Sequence, residues 1–192
     1  MDPSAVARLE QIAIASARDR ILIGARRGAW CEMEQTPDKT AALVDLAMTL
    51  DAIGVAHALI GGVAVGIHTG VPRATLDIDV GVISTVERAS IVAALTAAGF
   101  RLVGEFPHSL NFRHQSGEPV QLAIDPEFDA MILRAESMTI GPTSVRIVRK
   151  EDLITMKRRA ARDPARRKSK ALRDQADIEL LLGDVPDPDE GW

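Results

Sequence analysis

Residues 61–79 of this chain read GGVAVGIHTGVPRATLDID. The apolar run His57–Ile60 precedes the glycine pair, and its length and boundaries predict a buried strand that ends in a glycine turn. Val63–Ile67 then suits a short helix that ends near Gly70, and Thr75–Val82 alternates as a half-buried strand does. The stretch therefore predicts a strand, a tight turn, a short helix and a second strand in succession.

Two carboxylates stand two residues apart in the second predicted strand. Asp77 and Asp79 share one face of a strand, while Ile78 points to the other. Two like charges at this spacing repel each other, and their burial raises both pKa values unless a cation is present. Mg²⁺ fits this pattern because it takes one or two carboxylates and leaves other positions to substrate phosphates. The alternative is an Asp-x-Asp pair on a solvated strand with no ligand.

The glycine pair, Gly61-Gly62, lies between a predicted strand and a predicted helix. Backbone N–H groups without a neighbouring Cβ can approach a triphosphate closely, and a helix N-terminus adds favourable partial charge. Glycine is also common in turns that bind nothing, so the pair alone is weak. Its occurrence with two aspartates inside 19 residues is a much stronger signal. Arg73, four residues before the acids, is a candidate clamp for a phosphate or carboxylate.

The combination of Gly61-Gly62, a short helix and Arg-x-Thr-x-Asp-Ile-Asp resembles the signature of the DNA polymerase beta-type nucleotidyltransferases. The nearest likeness is to the small prokaryotic group that includes abortive-infection and toxin–antitoxin nucleotidyltransferases. It continues in order through residues 120–128, 151–157 and 166–178 and covers roughly residues 36–182. The resemblance implies the α/β (α+β) nucleotidyltransferase fold, with a small mixed sheet flanked by helices and a helical C-terminal region.

The resemblance also implies roles for individual residues. Gly61, Gly62, Arg73, Asp174 and Asp177 would bind an NTP substrate. Asp77 and Asp79 would hold Mg²⁺ or Mn²⁺ and, with Lys157, form the catalytic set. From the residues alone, Lys157 is one more solvated lysine, and only the resemblance gives it a role. Asp174 and Asp177 could pair with Lys170 and Arg173 on their own helix instead of binding substrate.

The sequence departs from this family at one position. A third carboxylate is expected after an apolar residue on a neighbouring strand, where it helps to deprotonate the acceptor hydroxyl. Here Val120 is followed by Gln121. Asp125, which shares a strand face with Gln121, is the candidate third metal ligand, and otherwise the site lacks a strong base.

Charge and composition add further limits. The net charge of −4 hides nine bases between Met156 and Arg173 that face one acid, Asp163. Such a stretch favours an anionic partner, although a solvated helix face is the alternative. Aromatic residues make up 3% of the chain and tyrosine is absent, so a nucleotide base would be held mainly by aliphatic walls and backbone groups. A single cysteine excludes an internal disulfide and a multi-cysteine metal site.

The remaining pattern predicts the domain plan. We expect an N-terminal helical extension over 1–35, a nucleotidyltransferase core over 36–150, C-terminal helices over 151–183 packed on the core, and a tail over 184–192. Thr36, followed by Pro37, predicts a helix start. Further helices are predicted over residues 3–27 (with a break near Gly24), 84–98, 126–135, 151–161 and 166–182, and further strands over residues 101–103, 110–114, 120–124 and 143–148.

The expected activity is transfer of a nucleoside monophosphate to a hydroxyl of an RNA or tRNA end or of a protein, in a toxin–antitoxin setting with an antitoxin partner. One alternative is a small-molecule enzyme of the aminoglycoside or lincosamide type. Another is a degenerate relative that binds RNA or protein without catalysis, for which Gln121 is the motive. With neither a signal peptide nor an apolar run of 18 residues, we expect a cytoplasmic protein without membrane contact.

Overall fold

The computed structural model describes residues 3–26 and 37–184. Seven α-helices and seven strands make up this part of the chain, with a 3₁₀ turn at Pro126–Phe128. The helices are α1 (Pro3–Arg26), α2 (Lys39–Ala52), α3 (Gly61–Thr69), α4 (Arg88–Ala97), α5 (Asp129–Leu133), α6 (Lys150–Arg162) and α7 (Lys168–Leu182). The strands are β1 (His57–Ile60), β2 (Ile78–Val82), β3 (Phe100–Phe106), β4 (Ser109–His114), β5 (Pro119–Ala123), β6 (Glu136–Ile140) and β7 (Thr143–Ile147).

The seven strands form one mixed sheet in the order β3-β4-β5-β2-β1-β7-β6. The pairs β2·β5 and β1·β7 are parallel, and the other neighbours are antiparallel. In this register Asp79 lies between Ile60 of β1 and Gln121 of β5. The predicted fold class, a mixed sheet flanked by helices with a helical C-terminal region, is confirmed.

The second predicted strand is shorter than the sequence pattern indicated. It begins at Ile78 rather than Thr75. Backbone groups just before it bond to side chains of α1 instead of to a neighbouring strand. Ser16 Oγ accepts a hydrogen bond from the Thr75 N–H at 3.1 Å, and Arg20 donates to the Leu76 carbonyl oxygen at 2.6 Å. Asp77 therefore lies on a loop immediately before β2.

The start of α2 also differs from the prediction by two residues. Asp38, not Thr36, is the N-cap, and its carboxylate accepts from the Ala41 N–H at 2.9 Å. The Asp38 N–H donates to Ser116 Oγ at 3.1 Å, so a contact from the β4–β5 turn fixes the cap. Thr36 itself lies outside the described residues. The predicted break near Gly24 is wrong, since α1 continues through that residue.

The N-terminal helix contributes to the main hydrophobic core. Leu9 and Ile12 of α1 are fully buried in the cluster that also contains residues of α2, α3 and the sheet. Gly66 of α3 lets the helices approach, because a Cβ there would lie 2.6 Å from Ile12 Cδ1. The boundary between an extension and a core at residue 35 remains a prediction.

No helix in the described ranges is both long enough and apolar enough to cross a membrane.

Candidate active site

A cavity of about 630 Å³ lies where α3, β2, β5, α6 and α7 meet. This volume is within the usual range of roughly 300–1,000 Å³ for sites that bind small ligands. Charged side chains of both signs line it, and they are Asp19, Arg73, Asp77, Asp79, Lys157, Arg166, Lys170, Arg173 and Asp174. Of the sequence-predicted site residues, Gly61 and Gly62 also line the cavity.

The two aspartates of the motif meet at this cavity. Burial and, secondly, the neighbouring Asp77 carboxylate raise the pKa of Asp79 to about 7, although the charges of Lys157, Lys170 and Arg73 act to lower it. Thr75 Oγ1 lies 3.3 Å from Asp77 Oδ1, at hydrogen-bond distance. The three nearby cations thus do not fully compensate the negative charge of an ionised Asp79, and a divalent cation would complete that compensation. The donor set of carboxylate oxygens is the kind that Mg²⁺ and Mn²⁺ prefer.

Both glycines of the turn are required by what lies against them. Gly61 begins α3 with φ +68°, and a Cβ on it would collide with the Asp79 carboxylate. A Cβ on Gly62 would collide with the Arg73 guanidinium and lie 2.8 Å from Thr75 Oγ1. The first turn of α3 therefore packs directly on the side chains of the site, and both glycines line the cavity.

A buried network of charges connects α7 to the rest of the site. Lys157 Nζ lies 2.9 Å from Asp174 Oδ1 and 2.8 Å from Asp177 Oδ2. Arg166 Nε contacts the second oxygen of Asp174 at 2.5 Å, and Arg73 Nε contacts Asp177 Oδ1 at 2.5 Å. Each of the two aspartates is at most 2% exposed. They thus hold three cationic side chains in place beside the cavity.

Hydrogen bonding determines the ionisation of Asp174. Burial acts to raise the pKa of its carboxyl, but the hydrogen bonds from Lys157 and Arg166 and the charges of these two residues outweigh burial and hold the pKa below its usual range. Asp174 lines the cavity, whereas Asp177 is not among the described lining residues. Both aspartates therefore pair with the cationic side chains of Lys157, Arg166 and Arg73, but of the two only Asp174 lines the cavity.

The position of the third carboxylate is occupied by an amide. Gln121 is the register partner of Asp79 on β5 and lines the cavity. Asp125 lies elsewhere: its carboxylate accepts from the Glu127 N–H at 3.0 Å and pairs with Arg159 at 3.5 Å. Among the described residues no group of three or more histidine, cysteine or acidic side chains is placed to hold a metal ion.

Several lining residues were missed by sequence reasoning, and Asp19 and Phe128 are two that bear on function. Asp19 comes from α1, in a part of the chain for which the resemblance offered no counterpart. Phe128 comes from the 3₁₀ turn, and the Arg159 guanidinium lies 5.9 Å from the centre of its ring. The composition predicted a wall made mainly of aliphatic and backbone groups, and Phe128 is an aromatic residue that lines the cavity beside them. The segment Asp125-Pro126-Glu127-Phe128 did fall within the resemblance, but nothing in it indicated that the ring faces a site.

Most of the bases between Met156 and Arg173 do not pair with acids. We call six of them the basic surface, since all six are exposed and have no acidic side chain within 4 Å in the described ranges. They are Arg158, Arg162, Arg167, Lys168, Lys170 and Arg173. Lys170 and Arg173 reach the cavity wall. Two of the six residues of the basic surface therefore border the cavity.

Comparison with solved structures identifies the architecture. The solution structure of the antibiotic-resistance factor ANT(2'')-Ia matches 76% of this chain and 85% of its own length, with 18% identity and a TM-score of 0.55. The lincomycin-bound crystal structure of the lincosamide antibiotic adenylyltransferase LnuA matches 78% of this chain and 99% of its own, with 15% identity and a TM-score of 0.54. This chain has the nucleotidyltransferase fold.

A third solved structure agrees. An antigenic nucleotidyltransferase-like protein from Paracoccidioides brasiliensis matches 77% of both chains at 22% identity, with a TM-score of 0.50. No family model and no curated protein matches the sequence. The resemblance inferred from residues 61–79 is thus confirmed for the nucleotidyltransferase fold, and the toxin-like subgroup remains a prediction.

Proposed function

We propose that this protein transfers a nucleoside monophosphate from an NTP to an acceptor hydroxyl. The observation that carries the proposal is the position of Asp79, with its carboxylate against Gly61 at the first turn of α3 and its neighbour Asp77 in the same cavity. The nucleotidyltransferase fold of the chain supports the same reaction. Asp77 and Asp79 would hold the metal, Mg²⁺ or Mn²⁺.

Each group at the cavity has a part in binding the triphosphate. The N–H groups at Gly61 and Gly62 offer hydrogen-bond donors to phosphate oxygens. Lys157, held by Asp174 and Asp177, presents a fixed ammonium group, and Lys170 and Arg173 add cations that no described acid neutralises. A divalent cation bound by the two aspartates would supply Lewis-acid activation of the acceptor hydroxyl.

The reaction itself exchanges the α–β phosphoanhydride bond of the NTP for a phosphate ester bond to the acceptor. The acceptor oxygen forms a bond to the α-phosphorus, and the bond from that phosphorus to the α–β bridging oxygen breaks. The electron pair of the broken bond leaves with pyrophosphate. The acceptor proton passes to a carboxylate or to solvent, since Gln121 has no titratable group beside Asp79. Position and electrostatics supply most of the catalysis in such reactions.

The basic surface favours a polyanionic acceptor, and we propose an RNA end. Six exposed bases, of which Lys170 and Arg173 line the cavity, would attract a phosphate backbone and repel a cationic small molecule. The resemblance to toxin-like proteins also suggests a protein hydroxyl as the acceptor and an antitoxin as a binding partner. They have no structural feature of their own to support them.

A small-molecule acceptor is the second candidate, and a specific observation favours it. Two of the structurally similar proteins are an antibiotic-resistance factor and a lincosamide adenylyltransferase. Their similarity to this chain extends over most of their length. The acidic side chain of Asp19, which lines the cavity, suits a cationic acceptor.

A competition between acceptors tests the proposal. The purified protein is incubated with α-labelled NTPs and Mg²⁺, and with total RNA, an aminoglycoside or a lincosamide. We expect label on RNA, lost in Asp77→Asn, with a rate that falls steeply as salt rises. Arg162→Gln, which removes one positive charge of the basic surface, should weaken RNA binding without affecting NTP binding. Arg101→Gln, at an exposed position of β3, is the matched control.

Two outcomes would overturn parts of this account. Label on an antibiotic but not on RNA would replace the RNA acceptor with a small molecule and leave the reaction type intact. Salt-dependent RNA binding that Asp77→Asn does not affect, together with no transfer from any NTP, would favour a binding protein without catalysis.

A further inference from the structure

The loop before β2 is held by side chains from the N-terminal helix. This loop, residues 70–77, carries both Arg73 and Asp77. Arg8 of α1 donates to the Ile67 carbonyl oxygen at 2.6 Å, just before the loop. Ser16 accepts from the Thr75 N–H, and Arg20 donates to the Leu76 carbonyl oxygen at 2.6 Å. Successive residues of α1 therefore contact the chain from Ile67 to Leu76, and the last of these contacts is next to Asp77.

The last of these contacts is held by buried charges. Arg20 also pairs with Glu118 at 2.8 Å, and Glu118 forms a short ion pair with Lys39. The side chains of Glu118 and Lys39 are each 1% exposed, and that of Arg20 is 14% exposed. One carboxylate from the β4–β5 turn therefore binds a cation from α1 and a cation from α2. An arrangement of this kind fixes the Arg20 guanidinium, because moving it would leave Glu118 short of a buried partner.

The position of Arg20 has a direct consequence for Asp77. The carbonyl of Leu76 and the N–H of Asp77 belong to one planar peptide unit, so a bond to the Leu76 oxygen restrains the backbone of Asp77. The Leu76 side chain is 48% exposed, so the core does not hold this residue. The residue before Leu76, Thr75, is restrained by the hydrogen bond from its N–H to Ser16 Oγ. Asp77 thus owes its place to polar contacts rather than to apolar packing.

We propose that Arg20 is a positioning residue for Asp77, held in place by Glu118 and Lys39. The consequence for metal binding rests on the proposed function, whereas the restraint on the loop does not. By this inference α1 is part of the apparatus that binds the metal, although the sequence resemblance begins only after it. The side chains of Arg20, Lys39 and Glu118 do not line the cavity. The charge of Asp77 does act on Lys39 across space, so the exchange of backbone amides, and not metal affinity alone, reports the restraint on the loop.

Amide hydrogen exchange and metal affinity together test the inference. Arg20→Met removes the hydrogen bond to the Leu76 carbonyl oxygen. We expect the amides of residues 74–78 to exchange about tenfold faster, because losing a hydrogen bond from a charged donor makes local opening of the loop more frequent by about that factor. We expect the Kd for Mn²⁺, measured by electron paramagnetic resonance with an NTP present, to rise about tenfold as well. Arg20→Lys keeps a charge beside Glu118 and should show intermediate values.

Arg8→Met is the matched control. It removes a bond of the same length from the same helix, but to Ile67 of α3, which lies before the loop that carries Asp77. It should lower the free energy of unfolding without changing Mn²⁺ affinity or exchange at residues 74–78.

The outcomes separate the inference from the proposed function. Exchange at residues 74–78 that is equal in Arg20→Met, Arg8→Met and wild type would overturn the inference, as would faster exchange with unchanged Mn²⁺ affinity. Absence of Mn²⁺ binding to the wild-type protein with any NTP would instead overturn the proposed function. The exchange data would still decide whether Arg20 restrains the loop.

Discussion

The carboxylate of Asp79 occupies the space that a side chain on Gly61 would need. Gly61 also has φ +68°, a conformation that side chains of L-amino acids rarely adopt. Two independent requirements thus coincide at one residue: the turn from β1 into α3, and the approach of the Asp79 carboxylate to that turn. The relationship ties the glycine pair and the aspartate pair into a single site.

The first prediction concerns Gly61→Ala. We expect strain at φ +68° to lower the free energy of unfolding by about 1–2 kcal/mol, and displacement of Asp79 to abolish nucleotide transfer. Gly54→Ala is the control, because Gly54 has φ +67° with no heavy atom within 4 Å of the added Cβ. Denaturant titration and transfer assays measure both effects. Equal activity in the two variants would contradict the role assigned to Gly61.

The second prediction concerns pH and the raised pKa of Asp79. The native carboxyl titrates near pH 7, whereas the unfolded chain releases this proton near pH 4. Wild-type stability without metal should therefore fall as pH rises from 4 to 7, because the unfolded state then binds fewer protons than the native state. Asp79→Asn should remove this loss and raise the free energy of unfolding at pH 8 by roughly 2 kcal/mol.

Thermal unfolding in metal-free buffer at pH 5 and pH 8 measures this effect. Glu10→Gln, an exposed carboxyl on α1, is the control and should change neither value by more than about 0.5 kcal/mol. Mg²⁺ should stabilise the wild type and not Asp79→Asn. Equal stability of wild type and Asp79→Asn at both pH values would contradict the claim that burial and Asp77 destabilise the ionised Asp79 carboxylate.

The third prediction concerns Phe128. If the ring forms a wall for the nucleotide base, Phe128→Ala should raise the KM for NTP by about tenfold and change kcat little, since stacking contributes about 1–3 kcal/mol per base. Phe106→Ala, an exposed phenylalanine that is not among the described lining residues, is the matched control. Steady-state kinetics with each of four NTPs gives the values. A KM that Phe128→Ala does not change would contradict this role and would mean that aliphatic and backbone groups bind the base.

The fourth prediction concerns Gln121. Gln121→Asp would place a third carboxylate beside Asp79, and we expect a metal-dependent rate increase of about tenfold or more, together with lower stability in the absence of metal. Gln121→Asn shortens the side chain equally without a charge and should show neither effect. A rate that falls in Gln121→Asp while Mg²⁺ binding improves would mean that the amide itself serves the reaction.

Much of the fold could be predicted from local patterns. The strand His57–Ile60 has the predicted boundaries, because an apolar run before a glycine pair is an unambiguous signal. Strand Glu136–Ile140 was missed, since only Ile140 of its five residues is buried and an exposed edge strand carries no alternating pattern. The start of β2 was placed three residues early because contacts from Ser16 and Arg20, distant in sequence, hold Thr75 and Leu76 as a loop.

The site shows the same division. Asp77, Asp79, Gly61 and Gly62 lie within one short motif, so sequence alone grouped them. The partners of Lys157 were not predicted, because the spacing of Asp174 and Asp177 equally allowed pairs within their own helix. Asp19 and Phe128 reach the cavity only through tertiary packing. The roles of all these residues in catalysis remain predictions.

Transfer of label from two differently labelled NTPs tests the central claim most directly. The protein is incubated with Mg²⁺, total RNA and NTP that carries the label on either the α- or the γ-phosphorus, and Asp77→Asn is run in parallel. The account predicts that α-label appears on the acceptor, that γ-label appears in pyrophosphate, and that both signals vanish in Asp77→Asn. Label from the γ-phosphorus on the acceptor, or transfer that Asp77→Asn leaves intact, would contradict it.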